Sequence, residues 1–200
     1  MVAELPPNEN MVIEDREIPG PEDAPSVGVR IYRPKAASGV LPGIFFIHGG
    51  GMIMGSVEGE NLKATKLCEA IQAVAVSVEY RLAPEHPHLA PVQDCYAALK
   101  WMAKNADDLA FDPNRLAVVG GSAGGGLTIA TTMMARDKGF PRICFQMPLY
   151  PMIDDRNETP SSYEIMDLGI WDREGNVEAW QWYLGGKLAD DYAAPARTEN

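Results

Sequence analysis

Three short runs of uninterrupted apolar residues decide what this chain can fold into. Gly43–Ile47 (GIFFI), Val74–Val78 (VAVSV) and Leu116–Val119 (LAVV) are largely β-branched or aromatic and show no alternation with polar residues. A strand with one face in water alternates, whereas a strand covered on both faces does not, so these runs read as strands of a parallel sheet. The segments between them carry a helical period: Ala64, Leu67, Cys68 and Ile71 share one face, as do Val92, Cys95, Tyr96, Leu99, Met102 and Ala103. Pro91 suits the first turn of the second helix, where its missing N–H would be unpaired anyway. Strand, helix, strand, helix, strand predicts an open α/β fold, a mostly parallel, doubly wound sheet with right-handed crossovers.

The rest of the chain fits around that unit. Val27, Val29 and Ile31 alternate with Gly28, Arg30 and Tyr32, which reads as a half-buried strand near a sheet edge. Residues 1–25 are rich in Pro and acid and read as loop around a strand at Met11–Ile18. With 200 residues and no internal repeat, the expectation is a single domain over 1–200. At this size roughly 70% of the unfolded surface can be buried, so no metal or disulfide staple is needed.

Charge narrows the partners. Seventeen Lys and Arg against 28 Asp and Glu give a net charge of −11, with no basic field to displace phosphate counterions or to approach an anionic membrane. Nucleic acid is thereby excluded as a partner, and no run approaches the roughly 18 apolar residues of a membrane helix. Cys68, Cys95 and Cys144 form no CxxC pair, and the opening MVAELPPNENM has no cationic start followed by an apolar stretch. A reduced, cytoplasmic setting is the expectation.

In open α/β sheets, ligands bind beyond the carboxyl ends of the strands. There the glycines concentrate: His48-Gly49-Gly50-Gly51 after the first run and Gly120-Gly121-Ser122-Ala123-Gly124 after the third. The second is a G-x-S-x-G sequence between a buried strand and a helical segment reaching about Asp137. A serine on so sharp a turn is held in a strained conformation, its hydroxyl raised above the sheet, with glycines two residues either side avoiding clashes. The N–H of Ala123, at the positive end of the following helix, would face a developing oxyanion. The HGGG glycines can bring bare N–H groups up to a substrate oxygen. Each motif alone also fits a glycine-rich turn; together, with His48 and Ser122 74 residues apart and buried strands between, they point to acyl-transfer chemistry.

Other candidates are weaker. Neither glycine cluster follows G-x-G-x-x-G, and no Lys-Ser or Lys-Thr closes a P-loop, so no nucleotide cofactor is implied. Glu85, His86, His88 and Asp94 include an H-x-H pair but no third metal ligand at a defined spacing, and no metal is expected. Asp154 and Asp155, flanked by Pro151 and Asn157, read as turn-capping or loop-tethering residues rather than an acid/base pair. Met133, Met134, Trp180, Trp182 and Tyr183 read as helix-face packing, and Met52 and Met54 as candidates to line an acyl pocket.

Taken in order, FFIHGGG at Phe45–Gly51, VEYRLAPEHP at Val78–Pro87, DCYAALKWM at Asp94–Met102, DPNRLAVVGGSAGGG at Asp112–Gly126, PLYPMIDDR at Pro148–Arg156 and NVEAWQWYLGG at Asn176–Gly186 resemble the hormone-sensitive-lipase-like carboxylesterases of the α/β-hydrolase fold. The likeness runs from about Ile13 to the end of the chain. It implies a small-molecule ester as substrate, Ser122 as nucleophile, oxyanion N–H donors at Gly50, Gly51 and Ala123, and support of that loop by His48 and Gly49. Tyr80 to Pro87, His86 included, would be a structural loop. No cofactor is implied.

The departures from the pattern are specific. Gly121 stands where relatives usually carry Asp, and His88 where an apolar residue, often Phe, is usual. The N-terminal cap helices of relatives are mostly absent, which leaves residues 1–25 as a reduced cap region. In this fold the triad runs Ser, then Asp or Glu, then His, yet the only histidines here, His48, His86 and His88, all precede Ser122. The expectation is a chain lacking roughly the last third of a typical member, with both acid and base. A serine without a base is a weak nucleophile, and losing the triad histidine costs on the order of a millionfold in turnover in a serine protease. The chain is therefore expected to be inactive or weakly active, with a non-catalytic small-molecule-binding relative as the alternative. His86 and His88 lie on the correct side of the sheet, but no spacing aims them at Ser122. Without terminal strands, the strand near Ile143–Met147 should be an exposed apolar edge open to self-association.

Overall fold

The computed structural model describes residues 8–167 and 169–199. In chain order it comprises β1 (Met11–Ile18), β2 (Val27–Pro34), β3 (Leu41–Ile47), α1 (Val57–Ile71), β4 (Val74–Glu79), α2 (Ala90–Lys104), α3 (Ala106–Leu109), β5 (Phe111–Gly121), α4 (Ala123–Asp137), β6 (Phe145–Leu149), α5 (Pro160–Glu164) and α6 (Arg173–Leu184). One six-stranded sheet runs in the order β1-β2-β4-β3-β5-β6. β1 and β2 pair antiparallel, as do β2 and β4, and the three remaining pairings are parallel. The three apolar runs are thus the central strands, which the sheet buries on both faces as their composition requires.

Two apolar layers flank the sheet. On one face Phe45, Ile47, Val76, Val78 and Val118 pack with α2, α4 and α6 through residues such as Leu99, Leu127 and Tyr183. On the other, Ile44, Phe46, Ala75 and Val119 meet Ala64 and Cys68 of α1. That second layer corrects the reading of Tyr32: its face of β2 is not solvated, because α1 lies over it, and the side chain is fully buried. Conversely Ile71, placed on the inner face by its spacing, is exposed at the last turn of α1, and Trp182 is exposed on α6.

Helix ends follow local chemistry. The Ser56 hydroxyl accepts the Gly59 N–H at the start of α1, and Asp172 accepts the Gly175 N–H at the start of α6. Gln72 and Gly185 close those two helices in the left-handed conformation. Strand β6 begins two residues later than the sequence suggests, because Ile143 instead packs against the larger core while the Cys144 N–H bonds the Leu116 carbonyl. Among the described strands β6 lies at one edge, with Phe145 and Leu149 exposed.

Candidate active site

Strand β5 ends at Gly121 and α4 starts at Ala123, so one residue makes the whole turn. Ser122 has φ 56° and ψ −122°, a conformation in which an L side chain is strained. Neighbouring backbone holds it there. Its N–H donates to the Leu149 carbonyl at 2.9 Å, and its carbonyl accepts both the Gly126 and the Met152 N–H at 3.0 Å. Close approach explains Gly124: a Cβ there would lie 2.2 Å from the Ile47 carbonyl oxygen and 2.5 Å from that of His48. Only glycine lets the first turn of α4 pack backbone to backbone on the end of β3. The N–H of Ala123 is one of those that open a helix without an intrahelical acceptor.

The glycine loop after β3 faces that turn. A Cβ on Gly49 would sit 2.9 Å from the Gly121 carbonyl oxygen and 3.5 Å from the Ser122 Cβ, so the two motifs meet. Gly50 and Gly51 have φ of 122° and 64°, and the Gly50 carbonyl accepts the N–H groups of Ile53 and Met54. His48 is buried beneath the loop. Its imidazole stacks on Tyr80 at 4.1 Å, and its Nδ1 lies 2.8 Å from the Gly49 carbonyl oxygen. A carbonyl can only accept, so Nδ1 carries the proton. The Tyr80 hydroxyl donates to the His48 carbonyl at 3.0 Å. Burial lowers the His48 pKa, which keeps the ring neutral at pH 7, against a weaker opposing pull from the Gly49 contact and from Glu79.

Ser122 borders two clefts. One, about 460 Å³, is walled by Gly49, Gly50, Met54, Lys63 and Tyr150. The other, about 380 Å³, is walled by Met152, Asn157, Trp171, Arg173 and Trp180. Tyr150 lines both and is three-quarters exposed. A larger depression of about 560 Å³ between α4 and β6 does not reach Ser122. Met54 meets the expectation of a cleft residue. Met52 does not: it is buried in the larger core, and its carbonyl accepts the Ala83 N–H.

The remaining candidates are committed elsewhere. Asp94 is fully buried and takes a two-pronged contact from the Arg81 guanidinium at 2.8 and 2.7 Å. His88 turns to the end of α6, with Nδ1 3.1 Å from the Tyr183 hydroxyl and Nε2 2.9 Å from Asp190. His86 is exposed. None of the three histidines contacts Ser122 through a hydrogen bond among the described residues. Asp154 binds Arg156, while Asp155 binds Arg197 and so ties the loop after β6 to the last residues described. Sequence reasoning missed Tyr150 and Trp171. Tyr150 immediately follows β6, so the rule that located the other motifs applied to it as well. Trp171 had no local signal, since a long-range contact places it.

The family described as alpha/beta hydrolase fold matches residues 44–200. The chain belongs to that family. Within the α/β hydrolases it is similar to carboxylesterase NlhH of Mycobacterium tuberculosis, 38% identical over 180 residues, which are 90% of this chain and 56% of the relative. It is 36% identical to esterase LipI of the same organism, over 98% of this chain and 62% of that one. A solved structure titled bacterial heroin esterase superposes with a TM-score of 0.92 at 36% identity, covering 95% of this chain and 62% of the other. The chain thus spans about three fifths of the length of the relatives it matches. The resemblance to hormone-sensitive-lipase-like carboxylesterases drawn from the motifs holds.

Proposed function

We propose that this chain carries the nucleophile and oxyanion half of a carboxylic-ester hydrolase, with Ser122 as nucleophile and the N–H groups of Ala123, Gly50 and Gly51 as oxyanion donors. The observation that supports it best is the meeting of two independent motifs: the strained Ser122 turn lies against the glycine loop backed by the neutral His48. Ser122 Oγ would attack the ester carbonyl carbon and lose its proton to a base. The tetrahedral oxygen would be stabilised by backbone dipoles that need no reorganisation. Collapse would expel the alcohol, which takes a proton, and leave an acyl-serine for water to cleave. His48 serves as a brace, because its protonated nitrogen is bound to the Gly49 carbonyl and its ring is stacked away from solvent. His88 is engaged by Tyr183 and Asp190 and is not the base.

The test is hydrolysis of p-nitrophenyl butyrate beside Ser122→Ala, with mass-spectrometric mapping of a fluorophosphonate adduct. Turnover that disappears in the variant, together with an adduct on Ser122, is the expected result. One shared background rate with no adduct on Ser122 would leave the chain an esterase in descent only. Among the described residues no helix is long and apolar enough to cross a membrane.

A further inference from the structure

The 380 Å³ cleft beside Ser122 is walled in part by Trp171, a residue from outside the sheet. The benzo edge of Trp171 lies on the backbone of Gly51: a Cβ there would be 2.0 Å from Cη2 and 2.8 Å from Cζ3 of the indole. Glycine at 51 therefore serves two needs, its positive φ and room for this ring. The indole is anchored. Its Nε1 donates to Asn176 Oδ1 at 2.9 Å, and the Asn176 amide donates in turn to the Asn157 side chain. The Arg173 guanidinium fixes the same loop, donating to the Asn157 carbonyl at 2.7 Å and to the Ser162 hydroxyl at 3.0 Å. The half-buried ring also packs against the larger core. A rigid aromatic wall, hydrogen-bonded from behind and lining the same cleft as the nucleophile, has the construction of a size filter.

We propose that Trp171 is a specificity-determining residue: it sets the bulk of the apolar ester substituent that the cleft beside Ser122 accepts, and Asn176 holds it in place. The inference rests on the esterase reading for the class of ligand, an uncharged ester. It does not depend on turnover, because the filter acts on binding. Shortening the ring opens space beside Gly51 in the cleft that Trp171 shares with Ser122, so bulky substituents gain while small ones do not. In an apolar pocket a single methylene discriminates by about 10- to 200-fold, so a change of this size is expected to shift selectivity by about tenfold or more.

The experiment uses Ser122→Ala as background, so that no ester is consumed. Calorimetric binding is compared for p-nitrophenyl butyrate, p-nitrophenyl octanoate and 1-naphthyl butyrate, with and without Trp171→Leu. The octanoate reports on the acyl side and the naphthyl ester on the alcohol side. The expected result is a tenfold or greater gain for one of the bulky esters relative to the small one. Trp171→Phe, which keeps an aromatic wall but loses the benzo edge and the Nε1 anchor, should shift the preference less than Trp171→Leu. Asn176→Leu, which frees the indole while leaving it present, should fall between. Equal changes for all three esters would overturn the proposal, as would no change, and so would an absence of ester binding to the parent background. Failure of Ser122-dependent hydrolysis with the binding shift intact would remove the catalytic reading and leave the filter standing.

Discussion

Replacing Ser122 by glycine should stabilise the protein while removing the proposed nucleophile. The turn holds Ser122 at φ 56° and ψ −122°, enforced by its bonds to Leu149, Gly126 and Met152, which involve backbone only and survive the substitution. A non-glycine residue in so sparsely populated a conformation costs about 1–3 kcal/mol. Glycine removes that cost but gives the unfolded chain freedom worth about 0.4–1 kcal/mol. The net is about 1 kcal/mol in favour of Ser122→Gly, or about 2–4 °C in melting temperature for a domain of this size. Ser122→Ala is the control that isolates the cause: it loses the hydroxyl, keeps Cβ, and should melt with the parent. Thermal and urea unfolding of the three proteins, followed by circular dichroism, gives the answer. A Ser122→Gly protein that melts at or below Ser122→Ala would show that the turn stores no strain.

Three further outcomes are expected. Gly124→Ala forces a methyl to within 2.2 Å of the Ile47 carbonyl oxygen, and such overpacking should cost about 1–3 kcal/mol in urea unfolding; an unchanged midpoint would refute the backbone-to-backbone contact. Burial lowers the His48 pKa from its ordinary 6.5, so the unfolded state takes up the proton first. The stability that the neutral ring supports is complete above that pH and is lost as the pH falls below it. His48→Asn should therefore flatten the dependence of stability between pH 7 and 5, and an identical slope would contradict the assignment. Finally, association through β6, with Phe145 and Leu149 exposed, should appear as concentration-dependent sedimentation that Phe145→Lys abolishes; a monomer at every concentration would count against it.

What the sequence made legible was local in origin. The GIFFI, VAVSV and LAVV runs announce burial on both faces because they are apolar but for Ser77 and show no alternation, and they are β3, β4 and the core of β5. The HGGG and GGSAG glycines were found because strand ends in such sheets bind ligands, and the structure brings the two clusters into contact. Where a residue's surroundings depend on which helix covers which face, periodicity was silent. Tyr32 is buried because α1 crosses β2, and Ile71 is exposed because α1 ends at its edge. Met52 sits two residues from a cleft-lining neighbour yet points into the core, since a positive φ of 67° reverses the loop there. Trp171 reaches Gly51 from a segment 120 residues further along, a pairing that no spacing encodes.

The Tyr80–His88 loop touches nearly every part of the site's support. Tyr80 holds the His48 carbonyl and stacks on its ring, Ala83 holds Met52, Arg81 grips Asp94 on α2, and the His88 N–H bonds the Tyr183 carbonyl on α6. Gly50 and Gly51, the proposed oxyanion donors, are therefore coupled to two helices on the far side of the loop. Loosening the glycine loop requires breaking those contacts together, so the Ile53 and Met54 amides, which bond the Gly50 carbonyl, should exchange with deuterium at the rate of global unfolding, while the Gly50 and Gly51 amides, unpaired among the described residues, exchange faster. Ser122, the proposed nucleophile, would then face a loop that does not breathe independently of its scaffold.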